Sequence, residues 1–265
     1  MPIFTLNMWI TGLALLALAG CSAPKDEEPD IVVTLDPEFT VDLYRQHAAA
    51  DGTPTFGLWV ESNQVFDCSN YRIKSTVQLR PGAIDVQLDG IGAPDTCLGG
   101  PAPAKGFVPI GALADGTYAF TLALNPVIRS EGTLSVYNGR YDLHLPRQQG
   151  IDFQNRLLES VPAGYLWGFA RTPSEQDQPV ADQFIQELKS ITGEPALPAG
   201  YYGYFTVSGA GQYFFHRSVA PAGAHKPFLR RLSGPADAIR ALLQGYRHNT
   251  GHPLDIRCYS TKGVL

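Results

Sequence analysis

The 265-residue chain lacks an apolar run long enough to cross a bilayer. Its best candidate, Met8 to Gly20, holds 13 apolar or small residues, whereas a helix needs about 20 to span the hydrocarbon core. A basic cluster is missing too. Arg230-Arg231 is the nearest thing to one in a chain of net charge -5, which argues against nucleic acid and against an electrostatic membrane patch as partners. Absent as well are the nucleophile elbow G-x-S-x-G, the phosphate loop G-x-x-x-x-G-K-[ST], the zinc helix H-E-x-x-H and any cysteine pair at metal spacing. No catalytic residue, no metal ligand and no cofactor is therefore expected from local motifs.

What is present begins with location. Met8 to Gly20 has the length of a signal-peptide apolar region, and it ends in Leu18, Ala19, Gly20, Cys21. This box resembles the lipobox of bacterial lipoproteins, with one departure: no Lys or Arg precedes the apolar region. The resemblance implies that residues 1–20 are removed and that Cys21 becomes a lipidated first residue, anchored by several acyl chains, since one chain alone binds marginally. Ser22 in place of Asp is similar to the outer-membrane sorting pattern of enteric bacteria, on the periplasmic or the surface face. Residues 21–30 then form a tether: Ser22 to Asp30 carries two prolines, four acids and no large apolar residue, too little to pack.

Once Cys21 is set aside, three cysteines remain. In an oxidising envelope Cys68 and Cys97 are the natural disulfide, each in turn-like sequence at the outer end of a strand. Cys258 falls on the apolar side of the alternating run Leu254, Ile256, Cys258 and is expected to be a buried, inert thiol.

The fold class expected is α+β in two domains. Residues 31–148 read almost wholly as strands. Tyr71, Ile73, Val77 and Leu79 alternate with Arg72, Lys74, Thr76, Gln78 and Arg80; Ile84, Val86 and Leu88 alternate with Asp85, Gln87 and Asp89. Pro81-Gly82 joins those two runs as a tight hairpin. Tyr118, Phe120, Leu122 and Leu124 form another set. Asn138-Gly139 demands a type I′ turn that pairs Val136 with Tyr141 and Leu134 with Leu143. Short strands with frequent turns suggest a β-sandwich, and Leu113 to Leu124 with Tyr141 to Leu145 loosely resembles the last strands of immunoglobulin-like envelope modules.

The period changes near residues 147–152, so a smaller α+β domain is placed at 149–265. Its strands are expected at Gly164 to Arg171, Tyr201 to Val207, Gln212 to Arg217, Pro227 to Leu232 and Leu254 to Tyr259. One helix presents Val180, Phe184, Leu188 and Ile191; a second, after Ser233 and Pro235, presents Ile239, Leu242, Leu243 and Tyr246. The order resembles a ferredoxin-like split βαβ arrangement with one extra strand.

Candidate site residues are aromatic. Tyr165, Trp167 and Phe169 share one strand face, and Tyr202 and Tyr204 share another; exposed, they would form a stacking platform for a sugar or a protein, whereas buried they would fill a core. Histidines His248 and His252 sit in a helix exit, and Asp85, Asp89 and Asp95 suit strand solvation better than calcium. The expected function is a non-catalytic, membrane-anchored envelope lipoprotein that binds a protein or glycan or serves in an assembly. An alternative is a hydrolase whose site is assembled from scattered residues, with His216 or His144 near an Asp or Ser. A solute carrier would need an apolar cavity between domains.

Overall fold

In a computed structural model the described residues are 35–47, 54–124, 128–221, 223–248, 251, 254–261 and 263–264. Cys21, the signal region, the tether and His252 lie outside them. The described residues belong to one compact unit, β-rich with two α-helices. Among them no helix is long and apolar enough to cross a membrane.

Ten strands build the first sheet: β1 (Phe39–Gln46), β2 (Thr55–Phe66), β3 (Arg72–Arg80), β4 (Ala83–Gly92), β5 (Ala102–Gly111), β6 (Gly116–Ala123), β7 (Arg129–Tyr137), β8 (Arg140–His144), β9 (Ile151–Asn155) and β10 (Leu157–Leu158). Their spatial order is β10-β8-β7-β6-β4-β3-β5-β2-β1-β9. The two end strands are neighbours in sequence, separated only by Arg156. One chain segment thus pairs with β1 through its first half and with β8 through its second, and Arg156 is tied down where its carbonyl accepts from Leu143 N at 2.8 Å. The sheet therefore curls into a nearly closed barrel. Alternation fills it: Val41, Leu43, Phe56, Leu58, Val60, Ile84, Val86, Leu88, Phe120, Leu122, Leu134 and Leu143 are buried together inside.

The expected sandwich is thus corrected to one continuous sheet. Alternation specifies which side of a strand is buried, not which strands meet, and the pairs β4–β6 and β1–β9 are parallel long-range contacts that no local signal announces. The local hairpins are found as expected. Arg80 pairs with Ala83 around Pro81-Gly82; Asn138 and Gly139 have φ of 50° and 77°, and Val136 faces Tyr141 and Leu134 faces Leu143. Cys68 and Cys97 are disulfide-bonded.

The remaining chain forms β11 (Tyr165–Arg171), α1 (Gln178–Ser190), β12 (Gly200–Tyr201), β13 (Phe205–Val207), β14 (Tyr213–Phe215), β15 (His225–Arg231), α2 (Ala236–Arg247), β16 (Asp255–Ser260) and β17 (Gly263–Val264). A four-stranded sheet runs β15-β11-β16-β17, and β12-β13-β14 form a separate small sheet. Strand β11 is antiparallel to both neighbours, so β15 and β16 run parallel to each other on either side of it and are joined through α2, which is the strand arrangement of a split βαβ unit; β17 at the edge and the separate β12-β13-β14 sheet lie outside that unit. The predicted strand Tyr201 to Val207 is in fact a tight hairpin, because Gly203, at φ 83°, turns the chain in a conformation that L side chains resist.

Both helices cover one face of the four-stranded sheet. Ala181, Phe184 and Leu188 of α1 and Ile239, Leu243 and Tyr246 of α2 bury against Leu166, Ala170, Phe228, Ile256 and Cys258. The other face lies on the outside of the barrel through an aromatic layer that joins Tyr44, Trp59 and Phe107 to Trp167, Tyr204 and Tyr259. Two strands that follow the 148/149 division, β9 and β10, belong to the barrel.

Candidate ligand-binding cleft

The aromatic residues expected as a platform are buried. Tyr165, Trp167, Phe169, Tyr202 and Tyr204 are at most 8% exposed, so they are core and not a platform; all but Phe169 belong to the layer between barrel and sheet, and Phe169 packs on Phe215 and His225. Their number follows from the area to be covered: two sheets packed face to face are about 10 Å apart, a gap that rings bridge. Trp167 meets Tyr204 at 5.8 Å and Tyr259 at 6.2 Å, and Tyr204 meets Tyr44 at 5.1 Å.

A cleft opens at the margin of this layer. The outward side of β1 and β2 carries Thr40, Asp42, Trp59 and Glu61, because Val41, Leu43, Leu58 and Val60 alternate inward. Register places Asp42 opposite Trp59 and Thr40 opposite Glu61. Asn63, Gln154 and the turn after β14, with His216, Arg217 and Ser218, complete the walls of a concavity of about 390 Å³.

Each wall is held. Asp42 accepts from Asn155 N at 3.0 Å and from Asn155 Nδ2 at 2.8 Å, where β9 shifts register against β1. Burial raises its pKa, and the Asn155 hydrogen bonds and the nearby His216 oppose that rise. Glu61 pairs with Lys105 at 3.3 Å. Thr40 Oγ1 donates to Asn63 Oδ1 at 3.0 Å, and Asn63 Nδ2 donates to the Pro37 carbonyl at 2.7 Å. The His216 backbone N–H donates to the Tyr204 carbonyl, its Nε2 is hydrogen-bonded to Thr206 Oγ1 at 2.9 Å, and its ring stands edge-on to Tyr201 at 5.2 Å. Burial lowers the His216 pKa, with Asp42 opposing. Trp59 leans on Tyr44 at 5.7 Å, and its indole Nε1 is buried with no hydrogen-bond partner among the described residues.

Chemically, the cleft offers an indole, two carboxylates, two planar amides, a guanidinium and an imidazole. Such groups exchange hydrogen bonds with hydroxyls from several directions. Among the described residues no hydrogen bond links His216 to Asp42 or to Ser218, and no group of three His, Cys, Asp or Glu stands where it could hold a metal.

Elsewhere, His144 is exposed on β8, and His248 closes α2 with its ring against the Gln244 carbonyl. Asp85 pairs with Arg80, and Asp89 accepts from Thr76 and Gln87. Cys258 is fully buried, which pushes its thiol up to about 12. Of the cleft residues, sequence reasoning singled out only His216. Asp42 had a readable signal, a lone carboxylate between Val41 and Leu43 in an alternating strand; Trp59, Glu61 and Gln154 had none. No protein-family model, no curated protein and no solved structure matches this chain.

Proposed function

We propose that the chain is a membrane-anchored module of a bacterial envelope, tethered through a lipid on Cys21, that binds a glycan in the cleft beside Trp59. The anchor rests on the lipobox at Leu18 to Cys21 and on the acidic tether that follows it. The observation that carries the ligand class is the juxtaposition of one indole with Asp42, Glu61, Asn63 and Gln154 in a single concavity. Sugars present apolar ring faces and equatorial hydroxyls together; aromatic rings suit the first and planar polar groups the second. The role proposed is non-catalytic, with Asp42 held by Asn155 rather than hydrogen-bonded to His216. A hydrolase is the second reading, favoured by the Thr206–His216 hydrogen bond, with Asp42 close enough to act on the imidazole electrostatically. Screening the full-length chain in detergent against an array of envelope glycans, followed by calorimetry on Trp59→Ala and Gln154→Ala, tests both readings. Binding that weakens about tenfold or more in either variant, without product release, is expected. Ligand turnover would favour the hydrolase, and an empty array, or binding indifferent to both substitutions, would overturn the assignment of the cleft.

A further inference from the structure

A second concavity lies on the same outward face of the barrel as the Trp59 cleft. Cross-strand register runs one row of residues between the two: Thr40 opposite Glu61, Glu61 opposite Lys105, Lys105 opposite Arg72, and Arg72 opposite Gly92. Thr40 and Glu61 line the cleft. Arg72 and Gly92, with Asn70, Lys74, Asp95 and Thr96, line a cavity of about 570 Å³. Lys105 stands between, its ammonium 3.3 Å from Glu61. The step from β2 across β5 to β3 is two strand spacings, roughly 10 Å.

The side chains of this cavity gather positive charge. Arg72 and Lys74 have the same outward parity on β3, both exposed. Lys74 is paired with Gly90, yet its stem lies across Gly92, where a Cβ would stand 2.7 Å from Lys74 Cε, so the ammonium is carried toward the row of Arg72. Two cations are drawn together, and among the described residues neither has an ion pair or a side-chain hydrogen bond. Asp89 on β4 is taken by Thr76 and Gln87. Asp95, in no ion pair with either cation, is left to accept from a hydroxyl. The wall that carries it is fixed in advance: Cys68 and Cys97 are bonded, Asn70 Nδ2 donates to the Thr96 carbonyl at 2.8 Å, and Leu98 N donates to Asn70 Oδ1 at 3.1 Å. A phosphate monoester carries a charge of about −1.5 to −2 at pH 7 and three acceptor oxygens. It therefore matches two cations where a carboxylate matches one, and the guanidinium fork suits its geometry.

We propose that this cavity takes the phosphoryl group of a phosphorylated glycan whose uncharged rings lie in the Trp59 cleft, an inference that rests on the glycan reading of that cleft. The row through Glu61 and Lys105 is the path between the two ends.

The test uses the full-length chain in detergent, with calorimetry on the phosphorylated oligosaccharides of the glycan array, each beside its phosphatase-treated counterpart. The phosphorylated form should bind about tenfold or more tightly than the treated one. The double variant Arg72→Gln, Lys74→Gln, at exposed positions and with the melting temperature of the parent, should lose that preference and keep its affinity for the treated glycan, whereas Trp59→Ala should weaken both forms. Equal affinity for the two forms, a preference that survives in the double variant, or an equal gain from a carboxylate-bearing glycan overturns the proposal and leaves the glycan reading standing. An array in which neither form binds overturns both, and amide shifts at Arg72 and Lys74 with inorganic phosphate would then reduce the cavity to an ion site. A phosphorylated glycolipid held in the micelle, set against the free oligosaccharide, tells a membrane-borne ligand from a soluble one; an Arg72-dependent gain in either arm supports the proposal.

Discussion

His47 provides a sharp test of how the aromatic layer holds barrel and sheet together. Its ring stands edge-on to Trp167 at 4.8 Å and lies 5.7 Å from Tyr204 and 6.4 Å from Tyr259. Its Nδ1 is buried with no partner among the described residues. Burial, and secondarily the positive charge of Arg45, lowers its pKa from 6.5 to about 4. The unfolded chain therefore binds more protons than the folded one between those values, so stability rises with pH across the interval. The contribution is fully present above about 6.5 and is lost as pH falls to about 4. At 1.36 kcal/mol per pH unit the loss is about 3 kcal/mol. Asp42, whose pKa is raised, has the opposite slope, so the comparison must be with a variant lacking only the imidazole. Denaturant unfolding of the parent and His47→Gln at pH 7 and pH 4 measures it. The parent should lose about 3 kcal/mol more than the variant over that interval. Parallel losses, or an NMR titration placing His47 near 6.5, would refute the idea that the ring is sealed between the sheets.

Four further outcomes follow from the packing. Trp167→Ala, at a fully buried ring, should cost about 3 to 5 kcal/mol in denaturant unfolding; a loss below 1 would mean the layer is loose. Gly168→Ala would set a Cβ 1.8 Å from the Arg257 carbonyl oxygen and should destabilise by about 3 kcal/mol or more as β11 and β16 are forced apart, visible as faster hydrogen exchange along β16. Replacing both Cys68 and Cys97 by alanine frees a loop with a sequence separation of 29 and should remove between about 3 and 4 kcal/mol on the chain-entropy account, read from the shift in denaturant midpoint. Arg230→Met removes a buried guanidinium that bonds Thr192 at 3.0 Å and Glu194 at 2.7 Å. Thr192 Oγ1 still donates to the Leu188 carbonyl, but the loss of the guanidinium donors to its hydroxyl oxygen and carbonyl should cost about 1 to 3 kcal/mol, whereas Glu194→Gln, at an exposed partner, should cost less than about 1 by thermal melting.

What could be read in the chain was local, and what could not was long-range. Asn138-Gly139 determined its hairpin and register because positive φ at two successive positions leaves few alternatives. The two helices were legible because their apolar stripes recur at helical spacing. The barrel was not: its closure depends on Ile151–Leu158 dividing itself between β1 and β8, a choice made by partners about a hundred residues upstream and by β8 close at hand. The aromatic faces were legible as faces, but their burial was not, because that depended on a second apolar surface, Tyr44, Trp59 and Phe107, contributed by strands whose inward residues already satisfied the barrel. Strands apolar on both sides signal a face claimed by another layer. In β1, Tyr44 breaks the alternation in this way and marks where the layer begins, while Asp42, two residues earlier on the same outward side, marks where it ends and the cleft opens. The boundary between packing and recognition on this barrel thus lies within one strand, between two side chains of the same parity.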